Sequence, residues 1–436
     1  MTSTPDAPEA VAAPEARKKG PALHLQIIAA MVVGLLLGPL LGKDARILGE
    51  LGKVVIDLIK AAATPLLFFA IVNAILKTEV PPGKAWRLVF WASVNACIAL
   101  GIGLLLSNAF LPGRTLAGFA PPSPDAAATY ANKKIDLMTT FTGFIPTNLV
   151  TPFLQNLVLS VIFLALFIGF GLRRVRREQL ARGSQAFRPL EEIIETLLRL
   201  TEIVLGWVIK LIPLAVFGVV ARAVGEHGYG PLKGLFAYVA VGLGGLVLHI
   251  CLTYHVELWL LARMPLRVFW RAAKEPVIYA AGANSSLATL PVTLRALDRL
   301  GVSRSASVLG AGIGTNFNND GIILYEGMAL LFVAQAAGID LSLGQQLIAA
   351  AACLVTAMGV AGIPEAGFIS LALVLNTVGL PIELLPLLLT TDWIIARGRS
   401  VTNVLSDMML SILIDRGASA RPAESAPATS RIPGPP

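Results

Sequence analysis

Charged residues make up only 14% of this 436-residue sequence, against 55% hydrophobic ones. With a mean hydropathy of +0.73, that shortage excludes an ordinary soluble globular domain and implies a polytopic membrane protein. Cysteine is nearly absent. Cys97, Cys251 and Cys353 are far apart, lie inside apolar segments and lack C-x-x-C spacing, which excludes a zinc site or a disulfide framework and leaves them as small buried hydrophobes. Acidic residues are too few to balance the basic ones, giving a net charge of +8. The basic residues fall mostly in short connections between apolar stretches, as the positive-inside rule expects and a nucleic-acid surface does not. No small-residue cleavage site follows the first apolar run, so the Pro/Ala-rich segment ending in Arg17, Lys18 and Lys19 reads as a cytoplasmic tail before a retained signal anchor. Residues 1–21 and 417–436 are both expected to be disordered.

What is present is a series of apolar stretches long enough to cross ~30 Å of hydrocarbon. They run at about 22–42, 51–77, 86–112, 146–172, 197–223, 231–262, 306–336 and 384–414. Two further stretches, Pro276 to Thr293 and Gln345 to Thr377, are broken in the middle by GANSSLATLP and GVAGIPEAG. Gly, Pro and Ser at bilayer depth free backbone groups that lipid cannot satisfy, so such breaks must face protein or water. The fold expected is all-α and integral to the membrane, with eight transmembrane helices plus two re-entrant helical hairpins. The cations at 17–19, 84–87, 173–177, 263–274 and 295–304 share one side if the broken stretches are hairpins. Both termini are then cytoplasmic, with the first hairpin entering from the cytoplasm and the second from outside. The order hairpin, helix, hairpin, helix is an inverted repeat, and paired broken segments point to a transporter's midplane binding site.

The last helix carries TDWIIARGRSVTNVLSDMML at 391–410. At about 100° per residue, Asp392, Arg399, Asn403 and Asp407 fall within an arc of about 80°, while Arg397 points elsewhere and lipid is expected against the rest. Ionisable residues in a bilayer cost at least ~2.5 kcal/mol each, so a cluster is a functional hypothesis by default; the structural alternative is that Asp and Arg neutralise each other to hold helices together. The seventh helix carries GTNFNNDGIILYEG at 314–327. Its Asn316, Asn318, Asn319 and Asp320 supply oxygens beside a Gly that permits unwinding, a setting suited to a hard cation such as Na⁺, or else to hydrogen bonding between helices. Glu326, in the apolar part of that helix, is a candidate proton carrier, or a Glu facing water at a helix end. Ser285, Ser286 and Thr289 offer donors near the first hairpin tip, where half-helix N-termini favour an anion. An intramembrane hydrolase using Ser285 or Ser286 would need a base, and His249 and His255 have no evident acid partner, which reads them as cap or interface residues.

These motifs resemble those of the dicarboxylate/amino acid:cation symporter family, which includes the glutamate transporters and their archaeal homologues. SSLATLPVT at 285–293 resembles its serine-rich first hairpin tip, and NNDGIILYEG at 318–327 its NMDGTALY-type seventh helix. AGIPEAGFISLALVLNTVGLP at 361–381 and DWIIARGRSVTNVLSD at 392–407 resemble the second hairpin and eighth helix. The resemblance implies a homotrimer of independent protomers and an elevator mechanism. A scaffold would lie mainly within 22–77 and 146–223, and a transport domain within 86–112 and 231–416. It implies that Arg399 holds a substrate carboxylate, with Arg397, Ser400, Asn403, Ser285, Ser286 and the tip residues Ala361 and Gly362 around it. Gly314, Asn318, Asn403 and Asp407 match one sodium site, and Asp320 a carboxylate shared with another.

The departures from the family pattern concern the substrate and the ion. Ala396, on the polar face, stands where the amino-acid carriers place an Asp that pairs with the substrate ammonium. Without that Asp an ammonium would be desolvated against a methyl group, unless Glu365 in the second hairpin compensates. Dicarboxylate carriers of the family also lack it. The expected function is therefore cation-driven symport of a small anionic substrate, a C4-dicarboxylate such as succinate, fumarate or malate. An acidic amino acid is the alternative, and an anion channel the alternative of another class; no enzymatic activity and no nucleic-acid partner are expected. Against the family pattern, Asn319 replaces a Met, Ile322 a Thr, Ala357 and Val360 hydroxyls, and Phe90 and Val94 oxygen ligands on the third helix, so two of the family's sodium sites are degraded; the remaining site and Glu326 leave a smaller Na⁺ stoichiometry or H⁺ coupling open. A bacterial-type inner membrane is the expected location.

Overall fold

Long apolar stretches can leave water only if every backbone N–H and C=O is paired within the segment, and this chain does so with helices. The computed structural model describes residues 23–77, 82–116, 145–316, 318–357 and 366–416, with no strand among them. The helices are α1 (Leu23–Leu41), α2 (Arg46–Lys77), α3 (Pro82–Phe110), α4 (Thr151–Leu154), α5 (Val158–Ala181), α6 (Arg188–Ile209), α7 (Ile212–His227) and α8 (Gly230–His249). They continue as α9 (His255–Leu260), α10 (Leu266–Ala283), α11 (Ser286–Arg299), α12 (Arg304–Ser307), α13 (Asp320–Ala336), α14 (Leu343–Ala357), α15 (Ala366–Val378) and α16 (Leu385–Arg416).

Several boundaries differ from those read in the sequence. The stretch expected over 146–172 is the short α4 followed by α5, which runs on to Ala181. The arginine run at 173–177, expected in a connection, is therefore helical; Arg176 pairs with Glu191 of α6 at 3.1 Å, and cations suit a helix C-terminus. The expected 197–223 helix is divided into α6 and α7 at Pro213, which sits in the first turn of α7, where its missing N–H has no intrahelical acceptor to lose. Among the described residues, four continuous helical stretches are long and apolar enough to cross a membrane: Leu25–Lys77, Trp86–Phe110, Arg188–Glu226 and Lys233–Leu260.

Two groups of helices share the core. In one, α1 packs along α7, and α2 packs against α5, α6 and α7. In the other, α13 and α16 lie at the centre, with α3, α8, α10 and α11 around them. Every residue of α13 is buried. So are most residues of α16 from Leu385 to Ile414, which corrects the expectation that lipid covers its apolar faces; α8, α10, α11 and α13 cover them instead.

Both broken stretches form helix pairs. In the first, α10 ends at Asn284, which adopts the left-handed conformation with φ 51°, tolerated by Asn better than by most side chains. Ser285 then caps α11, its Oγ accepting the Ala288 N–H at 3.1 Å, a contribution of about 1 kcal/mol. In the second pair, α14 and α15 pack on each other and on α13; the connecting residues Ala361, Gly362 and Glu365, and Val360, lie outside the described residues. The pairs have different settings. α14 and α15 also pack against α5, and α15 against α2, whereas the main partners of α10 and α11 are each other and α16.

Candidate functional site

The seventh helix is interrupted as its Asn and Gly residues predict. After α12 the chain runs through a π-turn at Val308–Ile313 and a 3-10 turn at Gly314–Asn316, and α-helix resumes at Asp320. The interruption sits against the middle of α16. Gly321, at the start of α13, donates its N–H to Asn403 Oδ1 at 2.8 Å. A Cβ there would come within 2.6 Å of the Arg399 carbonyl oxygen, so only glycine permits this approach.

Arg399 is 4% exposed and Asp392 1%. Their side chains form a bidentate pair, Nη1 to Oδ1 at 2.8 Å and Nη2 to Oδ2 at 3.0 Å. The residues are seven apart, about 10.5 Å of helix rise, and the pair closes because a long helical side chain leans toward the helix N-terminus. The guanidinium carbon lies 4.1 Å from the centroid of the Tyr325 ring, a cation–π contact that supports the charge in a dry setting. Gly367 of α15 is on another side, where an added Cβ would come within 2.7 Å of Arg399 Cζ. Ala396 is buried on the same helix. The hairpin tip joins through Ser400, which donates to Asn284 Oδ1 at 3.0 Å. Arg397 does not converge on this centre: it stacks on Trp393 at 5.6 Å and donates to the Trp393 carbonyl.

About two turns further along α16 the groups are oxygen-rich. Asn318 donates to Ser406 Oγ at 2.8 Å and lies 3.5 Å from Asp407 Oδ1, while its own Oδ1 is buried without a partner among the described residues. The Thr315 hydroxyl contacts the Asp407 carboxylate and lies 3.3 Å from Ser286 Oγ. Asp320, fully buried, accepts from Tyr254 and Ser406 on Oδ2 and leaves Oδ1 without a partner among the described residues. Of the other predicted members, the Gly314 carbonyl accepts the Asn318 N–H at 2.7 Å, and Asn403 is engaged with Gly321. Asn319 donates to the Ala357 carbonyl at 3.0 Å. A carboxylate, an unpartnered carboxylate oxygen and an unpartnered amide oxygen, all buried, are a donor set that suits a hard monovalent cation.

Glu326 is a third feature. It is fully buried, and among the described residues neither carboxyl oxygen has a hydrogen-bond partner of ordinary geometry, although Ser370 and Cys353 are close. The helix-end alternative is therefore corrected: Glu326 faces protein between α13, α14 and α15. Cys97 and Cys251 are exposed, and only Cys353 is buried as expected.

Contrary to the expectation from the sequence, His249 has an acid partner: its Nε2 lies 3.4 Å from Asp320 Oδ2. His255 accepts from Trp270 Nε1 at 2.9 Å, a packing role. Neither meets the hairpin serines, whose hydroxyls serve as a cap at Ser285 and a contact to Thr315 at Ser286.

The model for the sodium:dicarboxylate symporter family matches residues 23–417. The chain belongs to that family. Curated relatives of this sodium:dicarboxylate symporter family member include a C4-dicarboxylate transport protein of Deinococcus radiodurans, 31% identical over 91% of this chain and 89% of its own. One of Rhodospirillum rubrum is 32% identical over 90% of this chain and 87% of its own. One of Bacillus subtilis is 28% identical, covering 90% and 92%. Membership in a transporter family, together with the apolar helices, identifies an integral membrane transporter and not an enzyme.

Proposed function

We propose that this family member is a secondary active symporter for a small dicarboxylate of the C4 class, driven by Na⁺, H⁺ or both. The observation that carries the reading is a buried guanidinium, Arg399, on the helix face it shares with Ala396, with unpartnered buried oxygens of Asn318 and Asp320 nearby. The fork of Arg399 suits a carboxylate bidentately, as its pairing with Asp392 illustrates. Ala396 offers a methyl group where an α-amino group would need a counter-charge, which favours a dicarboxylate over an acidic amino acid. The relatives' names agree with this choice.

Within this reading, Asp392 holds Arg399 in place until a substrate carboxylate shares or replaces that pairing, and Asn284, Ser285, Ser286 and Ser400 bound the anion. Residues Gly314, Asn318, Asp320, Asn403 and Asp407 would hold the cation, whose charge offsets that of the substrate. Glu326 is the proton carrier if H⁺ contributes. The architecture proposed is eight crossings and two re-entrant hairpins in a homotrimer of the inner membrane with cytoplasmic termini. The transport body comprises α3, α8–α16 and both hairpins, and moves as an elevator against α1, α2 and α5–α7. The packing of α15 against α2, with α10 and α11 away from α2, supports a state in which the first hairpin faces water.

Proteoliposomes test the function. An inward Na⁺ or H⁺ gradient should drive accumulation of labelled succinate, and Glu326→Gln should remove only the H⁺-driven part. Aspartate accumulation that succinate does not compete with would sink the dicarboxylate reading. Sustained current without accumulation would make the protein an anion channel instead.

A further inference from the structure

α8 and α9 are joined by a π-turn at Ile250–Tyr254. In α geometry Tyr254, five positions after His249, would lie about 140° round the helix. The wider turn brings the two to one side, their rings T-shaped with centroids 4.9 Å apart, and such turns recur at functional sites. Both side chains are fully buried, and both address a single atom, Oδ2 of Asp320. The Tyr254 hydroxyl donates to it at 2.8 Å and His249 Nε2 lies 3.4 Å away. Ser406 of α16 donates to the same oxygen. Thr253 Oγ1 is 3.0 Å from His249 Nδ1; a hydroxyl donating there fixes the tautomer that carries its proton on Nε2, facing the carboxylate.

The distribution of partners is lopsided. Among the described residues, Oδ2 of Asp320 has three protein groups around it, while Oδ1, equally buried, has none, and Asn318 Oδ1 two residues earlier is also unpartnered. A buried acceptor left without a donor is costly unless something outside the protein completes it. Glu257 of α9 and Asn95 of α3 extend the polar layer, the Asn95 amide 3.5 Å from Glu257 Oε2 and its own Oδ1 unpartnered.

We propose that His249 and Tyr254 are positioning residues of the cation site: by occupying Oδ2 of Asp320 they fix the carboxylate's rotation and reserve Oδ1 for the coupled ion. The proposal rests on the cation coupling proposed above. Residues that hold a ligand from behind set its orientation and basicity, and their loss weakens metal binding about 10- to 100-fold.

The test is a Na⁺ titration of the purified full-length protein by thermal shift, with K⁺ as control, together with succinate uptake at saturating Na⁺. In Tyr254→Phe and His249→Ala the half-saturating Na⁺ concentration should rise about 10- to 100-fold, while the KM for succinate at saturating Na⁺ stays within about twofold of the parent. His249→Gln, whose amide can still donate to Asp320, should recover much of the Na⁺ affinity. A lowered melting temperature with unchanged Na⁺ affinity would make the pair a structural anchor and overturn the proposal. If the unsubstituted protein shows no Na⁺ response, the Na⁺-coupling reading itself fails, visible before any substitution is made, and the proposal falls with it.

Discussion

Arg399 and Asp407 are eight positions apart on α16, and their surroundings are opposite. The guanidinium is satisfied by protein, with Asp392 on two nitrogens and the Tyr325 ring against its face. Around Asp407 the oxygens are left open: among the described residues Asn318 Oδ1 and Asp320 Oδ1 are buried acceptors with no donor. A buried cation must be paired because its desolvation is otherwise uncompensated, so Arg399 carries its own counter-ion. In the symporter proposed above, an incoming carboxylate would exchange or share that pair, and a cation at the other end would add what is missing. On that proposal the two ends are built for competition and for completion.

The sharpest way to break this comparison is Arg399→Ala. Truncating one partner of a buried charge pair costs about 2–5 kcal/mol, so succinate uptake should fall about 30-fold or more; unchanged uptake would remove Arg399 from the site. Arg399→Lys should restore little, since a point charge cannot reproduce the fork. Asp392→Asn tests the competition directly. It leaves a buried cation uncompensated, with an expected loss of about 3–5 kcal/mol of stability. Succinate should then raise the melting temperature more than in the parent, because the ligand replaces the missing carboxylate. Asp407→Asn removes charge from the other end and should weaken Na⁺ binding about tenfold or more, measured by Na⁺ titration without substrate; equal weakening of succinate binding at saturating Na⁺ would mean the two ends are not separate. The smallest expected change is Ala396→Asp. A carboxylate beside Arg399 should reduce succinate affinity about tenfold, roughly 1.4 kcal/mol, and admit aspartate as a substrate.

Much of this site was legible in the sequence because it rests on helical geometry and bilayer cost. The polar face of Asp392, Arg399, Asn403 and Asp407 follows from spacing, and the breaks at Asn284–Ser285 and around Asn318 follow from residues that cannot continue a helix in lipid. His249 was not legible. It lies in an apolar segment, and its partner Asp320 is 71 positions away. Tyr254 joins it only through a π-turn that no residue pattern marks. Thr315 and Ser406 were missed for a related reason: isolated hydroxyls in an apolar helix are common, and only packing shows which ones meet a carboxylate.

The sequence by itself determined the all-helical membrane class, the two broken stretches, and which side chains share the face of the last helix, since those depend on local periodicity and on the cost of polar groups in hydrocarbon. The tertiary structure alone decided that Arg399 pairs with Asp392 over Tyr325, that α16 is covered by protein on nearly every side, and that the end of α8 and the π-turn after it meet Asp320. These are contacts between segments distant in the chain. In a dry interior each polar atom must find a partner or wait for a ligand, and which of the two occurs depends on how the helices pack.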